Sequence, residues 1–271
     1  MPMAILLFLV GLGVGIVLNG LADNLPPDVL GMRRAPGRPR CRYCGAAHRP
    51  EYWLALAGLL ARGGRCEHCG GPRPLRHVVV EAAAGFSLAY LWSWAEGQAF
   101  KFLAAAVIVA LFILITVIDL EHRLILWVVI YPAAVIVALI GVLSPDRGWQ
   151  KTLAGGAVGF GLVCGMFLLG ELFSRVIHLA RGQPLDEVAF GWGDVNLAAV
   201  IGLVVGWSGV LFAVLIAIFS AAAFGLVYLV VQRLRGRYTL FTAIPYGPFL
   251  VLGALTIYLY GQEIAAAYAG R

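Results

Sequence analysis

Long apolar runs alternate along this chain with short polar, basic stretches. A helix needs roughly 20 apolar residues to cross a bilayer core. Eight spans are drawn on that basis: 3–22, 77–95, 99–118, 124–143, 152–175, 195–206, 209–231 and 246–262. The sixth is short and needs tilt or shielding by its neighbours. Gly206-Trp207-Ser208-Gly209 predicts a tight turn between the sixth and seventh. The expected fold class is all-α: a polytopic membrane protein of about eight transmembrane helices. One shift in composition interrupts the pattern. Residues 23–76 are polar, basic and rich in Pro and Gly, the only soluble module of any size. The expected division is a first membrane helix at 1–22, a cytoplasmic module at 23–76 and a membrane domain at 77–271.

Composition supports the membrane reading. The 271 residues are 61% hydrophobic and 13% charged, far from the balance of a soluble domain. Mean hydropathy is +0.89. The 34 glycines suit close helix packing in lipid, where small residues let backbones approach. The first run could be a cleaved signal peptide, but no Lys or Arg precedes it, so a retained span is expected.

A net charge of +6 could suggest nucleic acid, but the positions of the charges argue for topology instead. Of the 20 Lys and Arg, only Lys101, Arg147, Lys151 and Arg271 fall on one side of the eight-span drawing. The other sixteen follow spans one, three, five and seven, with Arg33, Arg34, Arg38, Arg40 and Arg42 among those after span one. Positive loops stay in the cytoplasm, so both termini face outward. No nucleic-acid partner is expected; the bilayer is.

Cys41-Arg42-Tyr43-Cys44 and Cys66-Glu67-His68-Cys69 form two C-x-x-C pairs separated by 21 residues. Four thiolates at such spacing suit tetrahedral zinc. Gly45 and Gly70 each follow a second Cys, where a tight knuckle turn wants a permissive backbone. Two disulfides or four free thiols are the alternative; the charge pattern places this loop in a reducing compartment, where disulfides rarely persist. Zinc is therefore expected, in a structural role, because four protein ligands leave no position open for water. Cys164 lies inside span five and is expected to be a buried apolar residue.

Asp119 ends span three and Asp194 opens span six, in the string Gly191-Trp192-Gly193-Asp194. An ionisable side chain at a membrane edge is a functional hypothesis by default. The drawing sets both acids at the cytoplasmic edge. Each also has an ordinary reading. Asp119 could pair with Arg123 four residues on, and Asp194 could be a first-turn acid beside a helix dipole. Glu121 and His122 read as solvated interfacial groups. Gly191 and Gly193 allow a close backbone approach, which an extended peptide substrate needs. Two neighbouring carboxyls cannot both ionise cheaply, so one pKa rises and one falls. The ionised one then activates a water; the protonated one polarises a carbonyl and later supplies the leaving amine. Ile244-Pro245-Tyr246-Gly247-Pro248 reads equally as an ordinary helix start and as a rigid segment lining a cleft.

Taken together these pieces resemble the bacterial prepilin peptidases, or type IV leader peptidases, a GxGD-type aspartic protease family. The matching pieces are Leu18-Asn19, Leu25-Pro26, the paired Cys knuckles, Val80-Glu81, Ile118-Asp119-Leu120-Glu121-His122, Gly191-Trp192-Gly193-Asp194 and Pro245-Tyr246-Gly247-Pro248. The resemblance implies an aspartic endopeptidase of the bacterial inner membrane, with 77–271 as its peptidase domain and Asp119 and Asp194 as catalytic pair. It implies substrates that are prepilins or type II secretion pseudopilins. They are cut at the cytoplasmic face after a Gly that ends a short basic leader. It further implies N-methylation of the new N-terminus with S-adenosylmethionine. Nothing in the sequence places that cofactor's site, and no glycine-rich nucleotide fingerprint is present. Two departures stand out: Leu126-Trp127 replaces the family's Pro-Asp after the first catalytic Asp, and Asn24 replaces an Arg before Leu25-Pro26.

Two other classes are weighed. A proton-coupled transporter using the two acids predicts acids near the midplane and an internal repeat; here both acids sit at one edge and no repeat is evident. A non-catalytic assembly factor acting through its zinc module predicts that both acids are dispensable.

Overall fold

The computed structural model describes residues 2–26, 39–41, 43–145, 147–181, 191–235 and 245–269. Arg33, Arg34, Arg38, Arg42, Arg237, Ile244 and Arg271 lie outside the described residues.

The apolar runs form helices. They are α1 (Pro2–Asn24), α3 (Leu75–Trp94), α4 (Ala99–His122), α5 (Trp127–Leu143), α6 (Gly148–Arg181), α7 (Trp192–Leu234) and α8 (Gly247–Ala269). A short α2 (Ala55–Arg62) follows a 3-10 turn at Pro50–Tyr52 within the polar module. No named strand occurs among the described residues; the module holds two isolated β-bridges. Five helices, α1, α4, α6, α7 and α8, are long and apolar enough to cross a membrane, which makes this a multi-pass membrane protein. The apolar α5 is shorter at 17 residues and carries Pro132 inside it.

α7 holds two of the expected spans. Its 43 residues are helical except at Gly206, with φ 79° and ψ 174°. A continuous helix would set residues 198 and 210 about 18 Å apart along its axis. Yet Ala198 O and Val210 Cγ2 both crowd the place where a Cβ on Gly159 would stand. The chain therefore folds back at Gly206. The reversal takes one residue, not the four-residue turn expected, because glycine alone reaches that φ and ψ without strain. Two of the eight expected spans, 77–95 and 124–143, correspond to α3 and α5, which are not among the five helices long and apolar enough to cross a membrane.

Packing divides the chain into two units, Met1–Ile118 and Asp119–Arg271. The cut falls inside α4, at a different place from the expected functional boundaries. In the first unit α3 packs on α1. A Cβ on Gly15 would lie 2.5 Å from Glu81 Cα, and one on Gly11 2.6 Å from Gly85 Cα. In the second unit α6, α7 and α8 pack in sequence, with α5 against α6 and α7. Again the contacts are bare backbone: Gly155 meets Gly202, and Gly253 meets Ala213. Small residues at helix contacts gain dispersion energy that lipid-facing side chains do not. Cys164 on α6 is only partly buried, not buried as expected.

α4 runs on to His122, four residues past the end of the apolar run. A helix continues while its main-chain bonds can be made, whatever the polarity of its side chains. It stops at Arg123, which takes a left-handed φ of 54°. The Arg123 N–H donates to Asp119 O at 2.8 Å. Asp119 thus sits in the last turn of α4.

Candidate active site

Both acids belong to the second unit. Asp119 is 5% exposed. Its Oδ2 accepts the Gly247 N–H, at the first residue of α8, across 3.1 Å. Asp194 is half-buried in the first turn of α7. Its Oδ2 accepts the Gly191 N–H at 2.9 Å. Gly191 is extended, with φ −88° and ψ 159°, so the third helical residue reaches back to its amide. That is one half of a capping box, and it satisfies a donor that the helix itself cannot. The ordinary reading of Asp194 as a first-turn acid therefore holds.

The two carboxyls lie within electrostatic reach of each other. Asp194 also acts on Tyr246, one residue before Gly247. A Cβ on Gly193 would stand 2.7 Å from Ile125 Cβ. The segment between α4 and α5 is thereby tied to the start of α7. Three helix ends meet here: the last turn of α4 and the first turns of α7 and α8. Each acid commits one oxygen to a main-chain amide of a helix N-terminus, where partial positive charge favours a carboxylate. Arg123 reaches Asp119 through the main chain. Glu121 is exposed, and His122 Nε2 lies 3.8 Å from its Oε2.

The four cysteines of the first unit form a second centre. Their sulfurs all lie within 4.8 Å of one another. Cys41 and Cys69 Sγ are 3.7 Å apart, and Cys44 and Cys66 Sγ 3.9 Å. All four are free thiols. A tetrahedron of thiolates about 2.3 Å from zinc has edges of about 3.8 Å. The two loops are built alike. Cys41 N donates to Ala46 O and Gly45 N to Cys41 O; Cys66 N donates to Gly71 O and Gly70 N to Cys66 O. Gly45 and Gly70 hold φ of 71° and 68°. Tyr43, His68 and Gly71 N–H groups point at Cys41, Cys66 and Cys69 Sγ, at 3.4, 3.5 and 3.4 Å.

Burial opposes ionisation of Cys41, but the N–H groups of Cys44 and Tyr43 and the adjoining thiols outweigh it, bringing that thiol to about 7. Cys69 is pushed up to about 12: the Gly71 N–H lowers it, while desolvation and the other three thiols raise it by more. Four thiolates cannot share this space alone; a dication lets them. The residues fit a four-thiolate metal.

Two stretches of this chain match family models. Residues 106–226 match the type IV leader peptidase family, and residues 9–95 match the bacterial peptidase A24 N-terminal domain. A Burkholderia pseudomallei protein called prepilin leader peptidase/N-methyltransferase is 30% identical over 233 residues, covering 86% of this chain and 70% of its own. The chain belongs to the type IV leader peptidase family. Relatives of the same name from Pseudomonas aeruginosa and Bacillus subtilis are 27% and 26% identical. They cover 98% and 97% of this chain, and 94% and 96% of their own lengths. No solved structure matches.

The family match spans both acids, and the N-terminal match spans all four cysteines. The transporter reading gains no support from any of these relatives. Sequence reasoning missed the polar scaffold of the first unit. Glu81, wholly buried on α3, accepts the N–H groups of Ala55 (2.8 Å) and Leu56 (3.0 Å), capping the start of α2. Arg73 donates to Tyr52 O at 2.7 Å and Trp53 O at 3.0 Å. Asn19, buried on α1, donates to His77 O at 2.9 Å. Asp23 pairs with Arg76 and, at 3.0 Å, with His77 Nε2. A signal existed: Glu81 is an ionisable residue inside an apolar run, as Asp119 is at the end of one.

Proposed function

We propose that Asp119 and Asp194 are the catalytic carboxyls of a membrane aspartic endopeptidase acting on type IV prepilins or type II secretion pseudopilins. The observation that carries this reading is the meeting of two acids 75 positions apart in sequence at three helix ends, each with one oxygen held by a main-chain amide. A pair that shares one proton has both tools that hydrolysis needs. The ionised carboxyl takes a proton from water, whose oxygen attacks the carbonyl carbon of the scissile bond. The protonated carboxyl donates to the carbonyl oxygen. The C–N bond then breaks, the proton passes to the leaving amine, and both products leave with one water consumed. The pair titrates as a unit, so neither role belongs to one residue alone.

Topology supports the place of the cut. The excess of Lys and Arg assigns the ends of spans three and five and the start of span six to the cytoplasmic face of the inner membrane. A substrate with a basic leader and an apolar helix would lie with its helix in the bilayer and its junction at that depth. The working division is a first membrane helix at 1–22, a cytoplasmic module at 23–76 and a peptidase domain at 77–271. Pro245, Gly247 and Pro248, with Gly191 and Gly193, support the acids.

Zinc is the metal we assign to Cys41, Cys44, Cys66 and Cys69. It would clamp two knuckles of a module too small to bury much core of its own. The relatives' names include an N-methyltransferase, which supports our reading that this chain also N-methylates the new N-terminus with S-adenosylmethionine; no described residue is assigned to that methyl donor. The test is a mass measurement. Purified protein is incubated with a prepilin, with and without S-adenosylmethionine. Loss of the leader in both reactions, and one added methyl group only when the donor is present, is the expected result. An uncut prepilin under conditions where a relative cuts it would overturn the peptidase reading.

A further inference from the structure

We propose that Gly247 is a positioning residue for Asp119: the Pro-Tyr-Gly-Pro segment delivers one main-chain N–H, and no side chain, to that carboxyl. The proposal rests on Asp119 being a catalytic carboxyl, and part of its test does not.

The first turn of a helix carries N–H groups without helical acceptors, and they usually point outward together. The start of α8 is pared down to one of them. Pro248 has no N–H to give. The N–H groups of Phe249 and Leu250 donate to Tyr246 O at 3.0 and 3.2 Å. The Gly247 N–H remains for Asp119 Oδ2, at 3.1 Å and buried. Any side chain there would have to displace the acid. A Cβ on residue 247 would stand 2.5 Å from Asp119 Oδ2 and 3.1 Å from its Cγ. Gly247 does not hold a left-handed φ, so backbone freedom is not the reason for a glycine here.

A main-chain donor held in a helix cannot swing away, and it has no proton to lose across the working pH range. It fixes Oδ2 as an acceptor. When Asp119 carries the shared proton, that proton is therefore on Oδ1. Pro248 and Gly247 act together in this account: one removes a competing donor, and the other removes the side chain that would displace the acid.

The experiment uses the full-length protein in detergent, with Gly247→Ala, Asp119→Ala and the double variant. Gly161→Ala, in open space on α6, is the control. On a peptide spanning a prepilin leader junction, Gly247→Ala is expected to lower kcat about 100-fold, the cost of a misplacement of about 1 Å, with KM nearly unchanged. The limb of its pH profile that belongs to the acid pair is displaced, because a donor to Asp119 is disturbed. In thermal melts Gly247→Ala lowers Tm in the wild-type background but not beside Asp119→Ala, a coupling that reports the contact itself. Equal Tm loss in both backgrounds, or wild-type kcat with an unchanged pH profile, overturns the proposal. If Gly247→Ala does not fold, the double variant must fold for the proposal to stand. Should Asp119→Asn still cleave, the catalytic reading fails while the melting cycle still decides the contact.

Discussion

At the cysteine knuckles, Gly45 and Gly70 hold left-handed φ values, and the space where a Cβ would stand is open. At the acid pair, Gly193 and Gly247 hold no left-handed φ, and a Cβ on either would collide with Ile125 or Asp119. The same residue type answers two different demands. One region needs a backbone that can turn tightly around four sulfurs. The other needs main chain pressed against a carboxyl and against the segment that follows it. The first demand is local and can be met by a few other residues. The second is tertiary and cannot.

That contrast can be broken by substitution. Gly193→Ala should lower cleavage by about 100-fold, because the start of α7 must shift away from Ile125. Ile125→Ala in the same protein should return part of the rate, measured as kcat on a leader-junction peptide. No recovery would mean that Gly193 is needed for something other than room. Glu81→Ala leaves two N–H groups of α2 without acceptors, each worth about 1–3 kcal/mol when buried. Thermal melting should show the loss, and Glu81→Gln should show a smaller one because one oxygen remains.

Metal removal separates the regions further. Chelation, or Cys66→Ser, should bring bound metal far below one per chain by elemental analysis. It should also open the stretch from Tyr43 to Arg73 to limited proteolysis. Apo protein should regain metal more tightly as pH rises, since the thiols must lose protons to bind. The smallest effect is at the knuckle glycines. Gly45→Ala should cost about 1–2 kcal/mol for its left-handed backbone. Gly45→Asn should cost less, because Asn tolerates that region, while Gly247→Asn should be worse than Gly247→Ala. Equal ranking at both positions would erase the distinction between turn and contact.

The apolar runs were legible because crossing a bilayer fixes their length and composition. The knuckles were legible because metal ligation fixes both residue type and spacing, and Gly45 and Gly70 fell where the turn needs them. The reversal at Gly206 was placed correctly but drawn too long, since hydropathy does not record φ. The extension of α4 to His122 was missed because helical hydrogen bonds are indifferent to side-chain polarity. Glu81 and Arg73 bind main-chain groups of the polar module, and such bonds leave no periodic mark. The contact between Asp119 and Gly247 joins positions 128 apart. Both residues were singled out, but their meeting could only be seen in three dimensions.

The central claim is that two acids do one job. The measurement closest to it is single-turnover cleavage of a prepilin by Asp119→Asn and Asp194→Asn, in protein that melts and carries metal like the wild type. Each variant should lose on the order of 10³-fold or more in rate, and the double variant should lose little beyond either one, as residues acting as a unit do. Near-normal cleavage by either single variant would contradict the account.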